Sequence, residues 1–247
     1  MKTRIIGVVN ILNGVAVQSI QFNRFLPIGD PKIAIEYLFS WGIDEIIILD
    51  ISREKKMFKK FSYFIKNCFV PVTIGGGINN MKDVDHLIKS GADKVAINTQ
   101  AINDPMLLES VSKKYGNQAL IVSIDVKKIK NKYTVFTNSG MVESKISLKE
   151  IINIAENSGA GEILINSIDS DGTKKGFDKR LFIFTKNCTN LPLNICGGAG
   201  KTSHFEEIIN LGPSGICAAN FFHFKEQRVR FLKDYLVSLK KNIRISN

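Results

Sequence analysis

The amino-acid sequence predicts a single α/β domain folded as a closed (β/α)8 barrel. Apolar runs of strand length alternate with stretches of helical periodicity along the whole chain. The runs are continuously apolar, as expected for parallel strands that are buried on both faces. Similar segments also recur at a spacing of about 120 residues, which predicts two half-barrels, residues 1–118 and 119–247, in one domain over residues 1–247.

The predicted elements follow one another from end to end. Predicted strands cover residues 5–9, 45–50, 70–74, 94–97, 119–125, 162–166, 193–196 and 215–219. Predicted helices cover residues 31–41, 58–67, 81–90, 105–115, 147–158, 179–188, 202–211 and 225–240. A doubly wound open sheet is the alternative architecture, but the internal repetition favours the barrel.

The composition is that of an ordinary globular protein, with 44% hydrophobic and 23% charged residues. The sequence contains no signal-peptide pattern and no apolar run long enough to cross a bilayer, so we expect a cytoplasmic protein without membrane contact. The four cysteines lie far apart without metal-ligand spacing, which favours buried thiols in a reducing compartment and predicts no metal site.

The net charge of +11 raises the question of nucleic acid. However, the lysines are scattered and form no arginine-rich or aromatic-interleaved cluster, so no nucleic-acid partner is expected. An anionic small molecule fits the charge equally well. A bias of the genome toward lysine, asparagine and isoleucine codons is the other explanation.

Two glycine-rich segments, residues 75–77 and 197–200, each follow an apolar run and precede a helical pattern. Bare backbone N–H groups beside a helix N-terminus form a cradle for phosphate. A single segment of this kind is more often a simple turn. Two of them at matching places in two half-barrels predict a small-molecule substrate with a phosphate at each end.

In a barrel of this type the carboxyl ends of the strands meet at one mouth, where the chemistry occurs. Polar and glycine residues follow the predicted strands there: Asn10, Asp50, 75–77, Asn98, Asp125, 167–173, Gly197, Gly198 and Asn220. The segment 14–30 is long for a connection, so it is either a lid over the mouth or a plain surface excursion. Residues 127–137 have the pattern of a hairpin.

Several motifs together resemble the cyclase subunit of imidazole glycerol phosphate synthase over nearly the whole chain. They are Leu-Asp-Ile-Ser at 49–52, Ile-Gly-Gly-Gly-Ile at 74–78, the segments 91–99 and 124–125, Ser-Ile-Asp-Ser-Asp-Gly-Thr at 167–173, Gly-Gly-Ala-Gly at 197–200 and Phe-His-Phe at 222–224. The resemblance implies a lyase of histidine biosynthesis that pairs with a glutaminase subunit at the barrel base. Ammonia from glutamine would pass through the barrel and react with a bisphosphorylated ribonucleotide. The products would be imidazole glycerol phosphate and an aminoimidazole carboxamide ribotide, and no cofactor is implied.

The resemblance assigns roles to individual residues. Asp125 matches one essential aspartate, whereas Asn10 stands where the second is expected and Gln18 stands where a lysine is expected. An amide does not transfer protons, so the two-carboxylate scheme is altered. The implied ammonia gate is Arg4, Glu45, Lys94 and Glu162, with a structural ion-pair layer as the alternative reading. The implied phosphate and substrate contacts are Gly76, Gly77, Asn98, Thr99, Asp171, Gly172, Gly197, Gly198, Asn220, Asp50 and Gln18.

Two further readings remain open. In the first, the chain resembles paralogues of the cyclase that channel ammonia to a separate amidotransferase modifying a bacterial surface sugar, as in lipopolysaccharide biosynthesis. Asn10 and Gln18 favour this reading. In the second, the chain resembles a related sugar-phosphate isomerase, which also expects a carboxylate at position 10 and fits less well.

Overall fold

A computed structural model describes residues 2–52, 58–223 and 227–245 of the chain. Its strands all belong to one sheet. In chain order they are β1 (Arg4–Leu12), β2 (Val15–Ile20), β3 (Arg24–Gly29), β4 (Glu45–Asp50), β5 (Val72–Gly75), β6 (Lys94–Ile97), β7 (Leu120–Ile129), β8 (Lys132–Thr137), β9 (Val142–Ser147), β10 (Glu162–Ser167), β11 (Leu193–Cys196) and β12 (Gly215–Ala218).

Eight of these strands form a closed parallel barrel, which confirms the predicted fold. Their order around the barrel is β1, β4, β5, β6, β7, β10, β11 and β12, and β12 pairs back with β1. The register places Arg4 beside Gly215 on one side of β1, and Ile6 beside Glu45 on the other. The barrel therefore has no open edge among its parallel strands.

Helices surround the barrel. They are α1 (Pro31–Ser40), α2 (Phe58–Ile65), α3 (Met81–Lys89), α4 (Thr99–Asn103), α5 (Pro105–Tyr115), α6 (Leu148–Asn157), α7 (Lys179–Lys186), α8 (Thr202–Ile209), α9 (Asn220–His223) and α10 (Arg228–Ser238). Local sequence fixes several starts: Asp30 caps α1 by accepting from the Lys32 N–H at 2.8 Å, and Ser147 and Glu150 form a capping box at α6.

Two antiparallel extensions rise from the barrel, one from each predicted half. β1 continues into β2 and β3, and β7 continues into β8 and β9. The predicted strands 5–9 and 119–125 were therefore too short, because both run on to pair outside the barrel. The hairpin expected at residues 127–137 is present, whereas β2, β3 and β9 were not predicted as strands.

Other predicted boundaries need small corrections. The strand expected from residue 70 begins at Val72, because Pro71 has no N–H to donate to the ladder. The helix predicted over residues 225–240 is observed as α10, while residues 225 and 226, and Phe224 of the Phe-His-Phe motif, lie outside the described residues. The division into two half-barrels near residue 118 stays a prediction, which the matching extensions support.

Two apolar layers hold the barrel together. The larger layer lies between the strands and the helices, where residues such as Phe61, Phe182 and Phe205 are fully buried. The smaller one fills the inside of the barrel with Ile6, Val8, Ile47, Ala96, Ile121, Leu164 and Cys217. This second layer separates the two ends of the barrel, so polar groups at each end face different surroundings.

Candidate active site

The carboxyl ends of the barrel strands surround a cavity of about 440 Å³, and a smaller cavity of about 40 Å³ lies beside it. The larger cavity is lined by the predicted residues Asn10, Asp50, Gly76, Gly77, Asn98, Thr99 and Asp125. The smaller one is lined by Asn10, Asp171, Gly172, Gly197, Gly198 and Asn220. The structure thus brings the two glycine segments and the polar strand ends to one mouth.

Asp125, on β7, is the buried acid of the larger cavity. Its Oδ1 accepts a hydrogen bond from the Asn166 side-chain amide at 2.8 Å. Burial raises the pKa of Asp125 to about 6, although the Asn166 hydrogen bond lowers the pKa in part and the charge of Asp171 raises it. A carboxyl group with a pKa near neutrality is suited to take up and return a proton.

Asn10 lies near the end of β1, where it pairs with Leu49 of β4 and Val17 of β2. It is buried and lines both cavities, as does Asn166. A side chain at position 10 therefore stands between the two glycine segments. Its amide supplies a donor and an acceptor but no transferable proton.

The glycine segments adopt backbone conformations that side chains rarely allow. Gly76 and Gly197 have φ values of +100° and +102°. A Cβ at Gly76 would overlap the carbonyl group of Asp50, and a Cβ at Gly197 would lie 2.7 Å from the carbonyl oxygen of Ser167. Each loop therefore passes directly over the end of a neighbouring strand, which requires glycine there.

We expect Gly76→Ala to weaken binding of inorganic phosphate about tenfold or more, because the overlap with Asp50 displaces the loop that would hold the anion. The dissociation constant can be measured by calorimetry. Gly42→Ala is the matched control, since Gly42 also has positive φ (+81°), but among the described residues no atom beyond its chain neighbours lies within 4 Å of its added Cβ. Equal phosphate affinity in the two variants would contradict a phosphate site at Gly76.

The segment predicted as either a lid or a surface excursion is a β-hairpin that borders both cavities. Ser19 Oγ donates to Asp171 Oδ2 at 2.6 Å, and the Asn220 side-chain amide donates to the Ser19 carbonyl at 2.9 Å. The Gln21 N–H also donates to the Asp171 carbonyl at 3.0 Å. A Cβ at Gly172 would meet the Ser19 carbonyl at 2.5 Å, so Gly172 lets the hairpin approach.

The sequence reasoning missed several lining residues, among them Ser19, Phe22 and Asn166. Ser19 and Phe22 reach the mouth only because the hairpin folds over it, which no local pattern indicated. Asn166 stood at the predicted end of a strand, and that position could have identified it. Gln18 is buried in β2 but lines neither cavity, so its position does not support the predicted substrate contact.

At the opposite end of the barrel, the four predicted gate residues form a closed ring of charges. Arg4 contacts Glu45 and Glu162, each at 2.6 Å, and Lys94 contacts the same two acids at 2.8 and 2.7 Å. Burial opposes the charge on Glu162, but hydrogen bonding and attraction to Arg4 and Lys94 lower its pKa to about 2. Glu162 therefore stays ionised at neutral pH, and the four side chains close the floor of the barrel.

Comparison with known proteins gives a consistent result. Residues 4–228 match the family described as Histidine biosynthesis protein. The chain is 38% identical to the imidazole glycerol phosphate synthase subunit HisF of Thermotoga sp. (strain RQ2), with 99% of this chain and 98% of the relative covered. The same subunits of Helicobacter hepaticus (38% identity, 99% of each chain) and Parabacteroides distasonis (37% identity, 99% and 100%) are similarly related. The chain belongs to the histidine biosynthesis protein family. This result confirms the resemblance drawn from the motifs.

In this member of the histidine biosynthesis protein family, an apolar interior lies between the charged floor and the polar mouth. Ile6, Ile47 and Leu164 lie inside the barrel, and Cys196 and Cys217 also face the smaller cavity. Burial raises the pKa of both thiols, so they remain protonated. A neutral small molecule fits this interior better than a charged one, because charge is costly to bury there.

The mouth of this family member is poor in positive charge. Over residues 2–52, 58–223 and 227–245, no lysine or arginine lines either cavity. Neutral hydrogen-bond donors are thus what the described lining offers to an anion: side-chain amides and hydroxyls, and the backbone N–H groups of the glycine loops. Within the same part of the chain, no three His, Cys, Asp or Glu side chains converge to hold a metal ion, and no helix has the length and apolar character to cross a membrane.

Proposed function

We propose that this chain is the cyclase subunit of an imidazole glycerol phosphate synthase. It would use ammonia from a glutaminase partner on a bisphosphorylated ribonucleotide to give imidazole glycerol phosphate and aminoimidazole carboxamide ribotide. The observation that carries the proposal is the position of Asp125, a buried acid with a pKa of about 6, on a mouth that holds two glycine loops. Relatives that cover the whole chain bear the name of this subunit.

Each group at the mouth has a defined task in this reaction. Asp125 transfers protons during ring closure, and its pKa leaves both protonation forms accessible near neutral pH. Asn10 holds the middle of the substrate by hydrogen bonds, because it lies between the two cavities. The glycine loops hold the two phosphates at opposite sides. Positioning and proton transfer together suffice for this chemistry.

The charged ring supports the proposal that ammonia enters at the floor. Arg4, Glu45, Lys94 and Glu162 close the end of the barrel that lies farthest from Asp125, and the apolar interior lies between. A glutaminase docked over this ring would release ammonia into the barrel rather than into solvent. Neutral ammonia crosses an apolar interior more readily than ammonium.

A second candidate function is favoured by a specific observation. Asn10 supplies no carboxylate, and no lysine or arginine among the described residues lines the mouth. Both features suit a barrel that channels ammonia to a separate amidotransferase, such as one that modifies a bacterial surface sugar. In that case the mouth would bind a ligand without converting it.

One assay separates the two functions. Purified protein given an ammonium salt and the bisphosphorylated ribonucleotide should release the ribotide. Chromatography measures the amount released. Asn10→Leu should lower the turnover because it removes the hydrogen bonds that hold the substrate, while Asn10→Asp should retain it. Failure of the unaltered chain to turn over substrate, with turnover gained in Asn10→Asp, would overturn the cyclase proposal in favour of the conduit.

A further inference from the structure

A fifth polar side chain, Asn194 on β11, is built into the charged floor. It is fully buried, and its amide makes two hydrogen bonds within the ring. Its Nδ2 donates to Glu162 Oε2 at 2.6 Å, and its Oδ1 accepts from Arg4 Nη2 at 3.1 Å. Asn194 therefore ties an acid and a base of the ring to each other.

The two bases of the ring are held very differently. The guanidinium of Arg4 donates to Glu45, to both oxygens of Glu162, to Asn194 and to the carbonyl of Ser214. The ammonium of Lys94 has two partners, Glu45 Oε1 and Glu162 Oε1. A planar guanidinium that is hydrogen-bonded at all three nitrogens moves less readily than the ammonium at the end of a flexible lysine side chain.

The barrel also makes room for this asparagine. Gly215 of β12 is the register neighbour of Asn194, and a Cβ at Gly215 would lie 2.5 Å from Asn194 Oδ1. On the opposite side of the floor, Thr73 of β5 makes one longer hydrogen bond, 3.3 Å to Glu45. The two hydrogen bonds that Asn194 makes to Arg4 and Glu162 are thus shorter than the one that Thr73 makes to Glu45.

We propose that Asn194 is a positioning residue that fixes Arg4 and Glu162 as the static side of the floor. This claim concerns the chain by itself. Its effect on the passage of ammonia rests on the proposed function.

Nitrogen-15 NMR of the isolated chain tests whether Asn194 restrains the Arg4 guanidinium. In the unaltered protein, rotation of the Arg4 guanidinium should be slow and the Lys94 ammonium should be mobile. Asn194→Leu should speed the Arg4 rotation about tenfold or more, because a hydrogen bond between charged and polar buried groups is lost. Thr73→Val is the matched control, since it removes one weak hydrogen bond from an equally buried site and should leave Arg4 unchanged. Unchanged Arg4 motion in Asn194→Leu, or equal effects of both variants, would overturn the proposal.

The effect on the passage of ammonia is tested in a complex of the chain with a glutaminase partner. Asn194→Leu should lower, several-fold, the product formed per glutamine hydrolysed. It should leave turnover with ammonium salt unchanged, because ammonia from solvent can reach the cavity at the mouth without crossing the floor. Unchanged ammonium-driven turnover also shows that the variant is folded, and Asn194→Ser provides a smaller second replacement. If the unaltered complex forms no product from glutamine, the proposed function is refuted. The NMR result would still decide whether Asn194 fixes Arg4.

Discussion

Replacing Asp125 by asparagine is expected to abolish most turnover, with a loss of about 10² to 10⁴ in kcat, the usual contribution of a general acid or base. Asp125 is the carboxylate that Asn166 orients, and the neighbouring Asn10 cannot take over proton transfer. The shape of the site should survive, because an amide at position 125 can still accept the Asn166 hydrogen bond. Steady-state kinetics with the ammonium salt measure the loss.

The same substitution is expected to stabilise the protein at neutral pH. A buried acid whose pKa is raised from 3.8 to about 6 binds its proton more tightly in the folded state, so it destabilises the fold once it ionises. This penalty is absent below the unfolded pKa and is fully present above about pH 6. Asp125→Asn should therefore raise the free energy of unfolding at pH 8 by about 2 to 3 kcal/mol, at 1.36 kcal/mol per pKa unit, with little change at pH 4.

Asp171→Asn gives the comparison that identifies the catalytic acid. Burial also raises the pKa of Asp171 to about 6, but this carboxylate accepts a hydrogen bond from the Ser19 hydroxyl, and the backbone carbonyl of Asp171 accepts from the Gln21 N–H. Its replacement should loosen the hairpin and raise KM more than it lowers kcat. If Asp171→Asn abolished turnover while Asp125→Asn retained it, the assignment of the proton-transfer group would have to be exchanged.

The barrel and its two polar ends could be predicted because both follow from patterns local to each strand. A parallel strand buried on both faces is a continuous apolar run, and the residue before or after that run lies at the floor or the mouth. Glu45 and Glu162 begin two such strands, and Asp125 follows the apolar run within a third, β7. Position along the strand therefore located both the ring and the acid.

The β2–β3 hairpin was not predicted from the sequence, although Asn13-Gly14, which joins β1 to β2, is a usual hairpin turn. β3 and β9 contain only exposed and half-buried residues, so no buried apolar run marks them in the sequence. The turn between β2 and β3 contains Gln21 and Phe22 with φ values of +52° and +55°, a conformation usually taken by Gly or Asn. Contacts with Asp171, Gly172 and Asn220 hold this hairpin, so its place over the mouth depends on the whole fold.

Glu162→Gln is expected to cause the largest loss of stability, about 3 to 5 kcal/mol, as when one partner of a buried ion pair is removed. Glu162 accepts from Arg4, Lys94 and Asn194, so every side of its carboxylate faces a donor. The amide of glutamine would turn an N–H toward one of these donors. It would also leave Arg4 and Lys94 sharing the single charge of Glu45. Chemical denaturation at pH 7 measures the free energy of unfolding.

The pH dependence distinguishes lost charge from lost packing. The pKa of Glu162 is lowered from 4.5 to about 2, so its contribution is fully present above the unfolded pKa and disappears as the pH falls through about 2. The difference between the unaltered protein and Glu162→Gln should therefore shrink on acidification below about pH 4.5, whereas a packing defect would persist. Asp85→Asn is the matched control: Asp85 also contacts a lysine, Lys114 at 2.7 Å, but on the surface, where water screens the pair and little stability should be lost. An equally small loss in Glu162→Gln would mean that the floor is hydrated and that its charges need no partner.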